Sequence, residues 1–230
     1  MFARDLSRPQ ASLVKLESSR PRIFILSPAF AGGRRAQMIM RKQATFGLAE
    51  RLRSPGGASL GEVFAFLSGL YFRGKLAYAR RFASPPLGDS GALVITPTRG
   101  LLDMDTAIGV SELREFAEVN VDESEPRYRI PMERAAKRFR TKLPADCDVV
   151  LLGSIATGKY VTCLQEVFGA RLLFPADFVG RGDMSRGGLL LRAAADGVEL
   201  DYLPIEGAAR KGRRPPKLQP RRYPKECATN

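Results

Sequence analysis

Apolar positions along the chain fall into two kinds of run, short continuous ones and longer ones stepped by three or four. Arg22–Leu26 (RIFIL), Ala92–Thr96 (ALVIT), Asp148–Leu152 (DVVLL) and Arg171–Phe174 (RLLF) are of the first kind. Each is rich in strand formers and bounded by turn residues, as strands covered on both faces are. Val198–Ile205 alternates, which predicts a fifth strand at an edge. The second kind predicts helices. Met40, Ala44, Leu48 and Leu52 step by four and end at the breaker Ser54–Gly57. Leu60, Val63, Phe64, Leu67, Leu70 and Tyr71 mark a second helix, whose pattern resumes after Gly74 through Tyr78 and Phe82. A short helix is expected at Ser111–Val119 in an otherwise irregular acidic stretch. Pro131 is expected to open an amphipathic helix with Met132, Ala135, Ala136, Phe139 and Leu143 on one face. Its Arg134, Lys137, Arg138 and Arg140 read as solvated surface. Tyr160, Val161, Cys163, Leu164, Val167 and Phe168 face inward on a further helix stopped by Gly169, and a last one runs from about Ser185 to Ala195.

Strands alternating with helices predict an α/β fold, a mostly parallel sheet of about five strands with helices on both faces. This forms a single domain over 21–206, with a helical lobe at about 58–84. Residues 1–20 mix Ser, Arg and Pro without periodicity and are expected to be a flexible arm. Residues 207–230 are rich in Arg and Pro with almost nothing to bury, so a disordered basic C-terminal tail is expected there.

Charge sharpens that division. The 230 residues carry a formal net charge of +13, of which +7 lies in 207–230 and only +6 in all that precedes. The tail cations are Arg210, Lys211, Arg213, Arg214, Lys217, Arg221, Arg222 and Lys225, against the single acid Glu226. Of the 37 basic residues 28 are Arg. Arginine is the better bidentate phosphate ligand, although a GC-rich genome produces the same bias. There is no histidine, which removes His-dependent bases, nucleophile triads and zinc sites. The three cysteines, Cys147, Cys163 and Cys227, show no paired spacing and fit a reducing compartment. No apolar run reaches the roughly 18 residues a membrane span needs, and the first twenty residues have no secretory h-region. A cytoplasmic protein without cofactor or metal is expected.

Candidate chemistry lies in the loops after the first four strands, where ligands of open α/β sheets bind. These are Ser27–Arg35 (SPAFAGGRR), Thr96–Gly100 (TPTRG), Gly153–Lys159 (GSIATGK) and Pro175–Gly188 (PADFVGRGDMSRGG). Each combines small or hydroxyl residues with a cation, which suits a phosphate or carboxylate. Loops are also Gly-, Pro- and Ser-rich for conformational reasons alone. The candidate phosphate ligands are Ser27, Gly32, Gly33, Arg34, Arg35, Arg99, Gly153, Ser154, Lys159, Arg181 and Arg186. GSIATGK fits seven positions of a P-loop, but Tyr160 stands where Mg²⁺ coordination wants Ser or Thr. Asp183 is either an acid of the site or the N-cap of the last helix. Tyr71, Phe72 and Tyr78 interleave with Arg73, Lys75, Arg80 and Arg81, a pattern shared by single-strand nucleic-acid binders and by ordinary core helices.

Phe66–Phe82 (FLSGLYFRGKLAYARRF), Val94–Ile108 (VITPTRGLLDMDTAI) and Val149–Leu164 (VVLLGSIATGKYVTCL) resemble three blocks of uncharacterised bacterial domains distantly akin to the YaaA peroxide-stress family. The resemblance covers about half the chain in short pieces. It implies an α/β domain with a link to nucleic acid. The family's usual N-terminal pattern is not evident in LSPAFAGGRR.

Three readings follow. In the first, the protein handles nucleic acid or a nucleotide, its tail neutralising phosphates. In the second, it is a small-molecule enzyme acting on a phosphate-bearing substrate at the strand carboxyl ends. Its general acid or base would then be a carboxylate, with Asp103, Asp105, Asp177 and Asp183 available. In the third, the tail binds an acidic partner or an anionic membrane surface.

Overall fold

Continuous apolar runs bury both faces of a strand, and here they pair side by side in parallel. The computed structural model describes residues 20–86, 88 and 91–221. In chain order its elements are β1 (Arg22–Leu26), α1 (Arg34–Ile39), α2 (Gly47–Arg53), β2 (Ala58–Ser59), α3 (Leu60–Ser68), α4 (Leu70–Phe82), β3 (Ala92–Thr96), β4 (Gly100–Asp103) and β5 (Ala107–Ile108). There follow α5 (Val110–Ala117), α6 (Pro126–Arg140), β6 (Asp148–Leu152), α7 (Gly158–Phe168), β7 (Leu172–Pro175), α8 (Asp183–Asp196) and β8 (Tyr202–Pro204). Residues 1–19 of the expected arm, and Arg222, Lys225 and Cys227 of the tail, lie outside the described residues.

One sheet of six strands runs in the order β4-β3-β1-β6-β7-β8, and β2 pairs with β5 apart from it. β3, β1, β6 and β7 are parallel, while β4 and β8 are antiparallel edges. The α/β architecture with a mostly parallel sheet is as expected, with one strand more than the five anticipated. β1, β3 and β6 are buried at every position.

The strand beyond expectation is β4. The turn at Pro97–Arg99 reverses the chain onto β3, and Thr96 Oγ1 donates to the Gly100 carbonyl at 2.9 Å. Gly100 adopts φ 65°, and an added Cβ there would meet the Pro131 carbonyl oxygen of α6 at 2.5 Å. Only glycine lets α6 sit so close over the hairpin.

Three helix boundaries differ from the sequence pattern. The four-residue steps after Met40 do not make one helix: α1 ends at Ile39 and α2 begins at Gly47. Arg53 closes the turn between them by donating to the carbonyls of Arg41, at 2.8 Å, and Ala44, at 2.5 Å. The break in the next helical stretch falls at Gly69, with φ 65°, and Gly74 lies inside α4. α6 opens at Pro126, whose preceding Glu125 side chain accepts from the Arg127 N–H, and Pro131 lies within it.

α4 and α8 pack most closely, because Gly74 and Gly187 bring their backbones together. α6 packs on α7. With right-handed crossovers, the connection from β1 to β3 lies on one face, and those from β3 to β6 and β6 to β7 on the other. β1 and β6 are neighbours whose chains therefore leave in opposite directions, which opens a crevice at their carboxyl ends. Residues 207–221 contain no helix or strand. Arg221 bonds both carboxylate oxygens of Asp196 at 2.7 Å, and Arg192 donates to the Gln219 carbonyl. Among the described residues no helix is long and apolar enough to cross a membrane.

Candidate functional site

The crevice between the β1 and β6 loops is a cleft of about 950 Å³. The β1 loop contributes Ser27, Phe30, Gly33, Arg34 and Arg35, and the β6 loop contributes Ser154, Lys159 and Tyr160. Tyr71 of α4, Asp183 of α8 and the segment Val119–Pro126 complete the walls.

The floor is tightly built. An added Cβ on Gly153 would meet Ser27 Cβ at 2.9 Å and Tyr160 Cε2 at 3.2 Å, so this glycine lets the two loops close on each other. The Tyr160 hydroxyl accepts from the Ser154 N–H at 3.1 Å. Burial raises the Tyr160 pKa, opposed by hydrogen bonding to Ser27 and to that N–H. Lys75 reaches the underside of Ser27 from α4, donating to its carbonyl oxygen at 2.5 Å, with Nζ 3.0 Å from its Oγ. The lysine is 1% exposed, and Nζ stands 4.4 Å from the Tyr71 ring centre and 4.6 Å from that of Phe72. Burial depresses its pKa to about 7; Asp183 acts upward and Arg186 downward as lesser effects. The buried Tyr71 hydroxyl makes no hydrogen bond of good geometry among the described residues, although the Arg186 guanidinium stands close enough to act on it. A tyrosine in that state normally finds one.

Charge on the walls divides unevenly in availability. The carboxylates are engaged: Glu125 accepts twice from the Arg127 guanidinium, Asp122 accepts from Ser124, and Asp183 pairs with Arg186 at 3.4 Å. Arg34, Arg35 and Lys159 are exposed and make no salt bridge among the described residues. Arg35 donates to the Phe66 carbonyl at 3.1 Å. In the same cleft Phe30 is 74% exposed, its ring lying over Gly32 and Gly33. An exposed aromatic on a cleft wall beside cations is a stacking surface.

Of the residues singled out from sequence, Ser27, Gly33, Arg34, Arg35, Ser154 and Lys159 come together in this cleft. Gly32 backs Phe30 and Gly153 backs Ser27. Arg99 is elsewhere, its guanidinium bound to Glu115 at 2.7 Å. Arg181 donates to the Asp177 carbonyl and Ser185 Oγ. Arg186 is buried and donates to the Phe178 carbonyl, with its guanidinium over the Phe178 ring. Asp183 is not the N-cap of α8, which is Gly182 in extended conformation. Asp103, Asp105 and Asp177 do not line the cleft.

Two sequence alternatives are decided by burial. Tyr71, Phe72 and Tyr78 are at most 6% exposed, so they are core residues and offer no stacking face to a single strand. Glu123 packs on Gly158, where an added Cβ would meet its Oε2 at 2.4 Å, and it accepts from Thr162 Oγ1 at 3.1 Å. The chain's own carboxylate thus stands against the first turn of α7, where a P-loop would seat phosphate, and Tyr160 is buried.

Phe30, Lys75 and Tyr160 did not emerge as site residues from sequence. Lys75 left a signal: with Tyr71 and Tyr78 it holds the inward stripe of α4 at steps of four and three. A lysine on an apolar stripe needs a structural or chemical reason.

No family model matches the chain, and no curated protein or solved structure matches it either.

Proposed function

We propose that the protein handles a nucleotide or nucleic acid, seating a phosphate-bearing group in the cleft between the β1 and β6 loops. The observation that carries this reading is the set Arg34, Arg35 and Lys159, which make no salt bridge among the described residues and share the cleft with the exposed ring of Phe30. The guanidinium and ammonium groups would take the phosphate, the ring a base, and the Tyr71 hydroxyl a polar atom at the cleft floor. The exposed tail residues Arg210, Lys211, Arg213, Arg214 and Lys217 would add affinity for a polyanion without sequence preference.

Thermal shift of the full chain with a nucleoside monophosphate, its nucleoside and inorganic phosphate tests this. Saturation at about a hundred times Kd adds roughly 2.7 kcal/mol of stability. The nucleotide should raise Tm more than either fragment. Equal inertness of all three would count against the reading.

A second reading, an enzyme acting on a phosphate-bearing small molecule, is favoured by one observation, the contact of Lys75 with Ser27.

A further inference from the structure

We propose that Ser27 is a nucleophile for which Lys75 is the general base, and that the cleft carries acyl transfer from an ester or amide to water through Ser27. The inference deepens the reading of the cleft given above: a ligand whose phosphate lies on Arg34 and Lys159 would present its carbonyl to Ser27.

The pair comes from two elements held rigidly. Ser27 directly follows β1, its N–H donating to the Leu152 carbonyl of β6 at 3.2 Å, and the residue, 5% exposed, is one of those lining the cleft. Lys75 approaches from behind on α4, at the level where Gly74 meets Gly187. No carboxylate hydrogen-bonds to Nζ among the described residues. The groups facing it are Tyr71 and Phe72 of its own helix, Ser27 of β1, and Asp183 and Arg186 of α8, with Tyr160 of α7 beside Ser27. Burial outweighs the two charges, so near neutrality the amine is readily uncharged. A neutral amine has one lone pair and two N–H bonds. Donating one N–H to the Ser27 carbonyl leaves the lone pair to accept the Oγ proton across 3.0 Å.

Geometry also decides which group attacks. Ser27 lines the cleft and Lys75, 1% exposed, does not, so the hydroxyl meets the carbonyl first. Nζ, 3.0 Å from Oγ, stays within reach of a leaving atom or water bonded at the same carbon. As Oγ bonds to the carbonyl carbon, its proton passes to Nζ. The carbon–oxygen or carbon–nitrogen bond to the leaving group then breaks, and the Lys75 ammonium returns that proton to the departing alkoxide or amine. Water cleaves the Ser27 ester by the same relay, and no group changes oxidation state. One base serving one hydroxyl suits a carbonyl, where a single proton moves at each stage.

The test is labelling of the full-length chain with a fluorophosphonate, followed by intact mass and peptide mapping, between about pH 6 and 9. One adduct at Ser27 is expected, its rate rising as a single titration near neutrality, absent in Ser27→Ala. Lys75→Arg, which keeps the charge but is no base, and Lys75→Met should each slow labelling about a hundredfold or more. Circular dichroism establishes that the variants fold. If neither folds, the titration of the parent rate decides. A p-nitrophenyl acyl ester should give a burst of one p-nitrophenol per chain. No adduct, an adduct elsewhere, a rate flat with pH, or labelling undiminished in a folded Lys75 variant overturns the proposal. Turnover of p-nitrophenyl phosphate through Ser27 in place of the acyl ester overturns the acyl assignment. The small probe does not need Arg34 or Lys159. Labelled Ser27 without nucleotide binding would therefore refute only the phosphate reading, and nucleotide binding without labelling only the dyad.

Discussion

Gly74 of α4 and Gly187 of α8 touch backbone to backbone: a Cβ added to Gly74 would lie 2.6 Å from the Gly187 carbonyl oxygen. The reverse contact is equally close, since a Cβ on Gly187 would stand 2.7 Å from Tyr71 Cα. This crossing holds Tyr71 and Lys75 against Arg186 and sets the height of Lys75 under Ser27. It links a packing requirement to the floor of the cleft.

Gly74→Ala should therefore destabilise, although alanine is the better helix former by roughly 1 kcal/mol. Overpacking of this kind costs about 1–3 kcal/mol, and neither backbone can yield without moving a helix. Gly47→Ala in α2 is the control, because its Cβ would meet nothing nearer than Arg51 Nη1 at 3.9 Å. Urea unfolding should show Gly74→Ala weakened and Gly47→Ala unchanged or slightly stronger. Equal stability of the two would mean that the helix pair is looser than described.

Lys75 makes stability depend on pH in a defined direction. Its folded pKa of about 7 lies below the value of an unfolded lysine, so between the two the unfolded chain binds a proton the folded one lacks. Stability contributed through this group rises as pH climbs from about 7 toward 10, by up to about 1.4 kcal/mol per unit. Lys75→Met lacks that slope. The stability of the variant minus that of the parent should be largest near pH 7 and shrink steadily to about pH 10. A difference constant across that range would show that Lys75 keeps its proton in the folded state.

Sequence pattern served the central strands well: β1, β3 and β6 match the apolar runs at both ends, since strands covered on both faces are continuous by necessity. It served poorly where a tertiary contact overrode the local signal. Gly74 looked like a helix break, yet α8 needs a glycine there. Met40 and Leu52 shared a helical step, yet Arg53 folds the chain between them. In the cleft, the loops flanking β1 and β6 were legible because cations and small residues follow both strands. Lys75 was legible only in part: its place between Tyr71 and Tyr78 on the apolar stripe marks it as inward, but nothing local shows that it reaches Ser27, 48 positions away. Arg99 and Arg186 illustrate the reverse error, loop and helix cations already held by Glu115 and by the Phe178 carbonyl, partners that only the folded turns bring to them.

At the sheet edge, Glu199 accepts from both the Tyr202 hydroxyl, at 2.7 Å, and the guanidinium of Arg22, whose side chain is 6% exposed. The Tyr202 and Tyr78 hydroxyls lie 2.7 Å apart, and Tyr78 in turn accepts from the Leu200 N–H. Glu199→Gln removes the charge from a charge-assisted network and should cost about 1.5–3 kcal/mol in chemical denaturation. A change below a few tenths would mean that solvent, which reaches Glu199, already screens the pair.

Tail and cleft should separate in their response to salt. Five described tail cations are exposed without a salt bridge, and Arg221 is held by Asp196. Removing residues 207–230 should lower the slope of log affinity against log salt for a duplex oligonucleotide by about four to six. Mononucleotide binding should be nearly unchanged. An oligonucleotide slope indifferent to the truncation would place the polyanion surface elsewhere.

The central claim is that Arg34 and Lys159 hold a phosphate in the cleft. Calorimetric titration of a nucleoside monophosphate into the parent and into Arg34→Ala/Lys159→Ala, at one moderate ionic strength, tests it most directly. Loss of two charge-assisted contacts, about 1.5–3 kcal/mol each, predicts that the double variant binds at least about a hundredfold more weakly while its affinity for the uncharged nucleoside is unaltered. Equal nucleotide affinity in the two proteins would contradict the account.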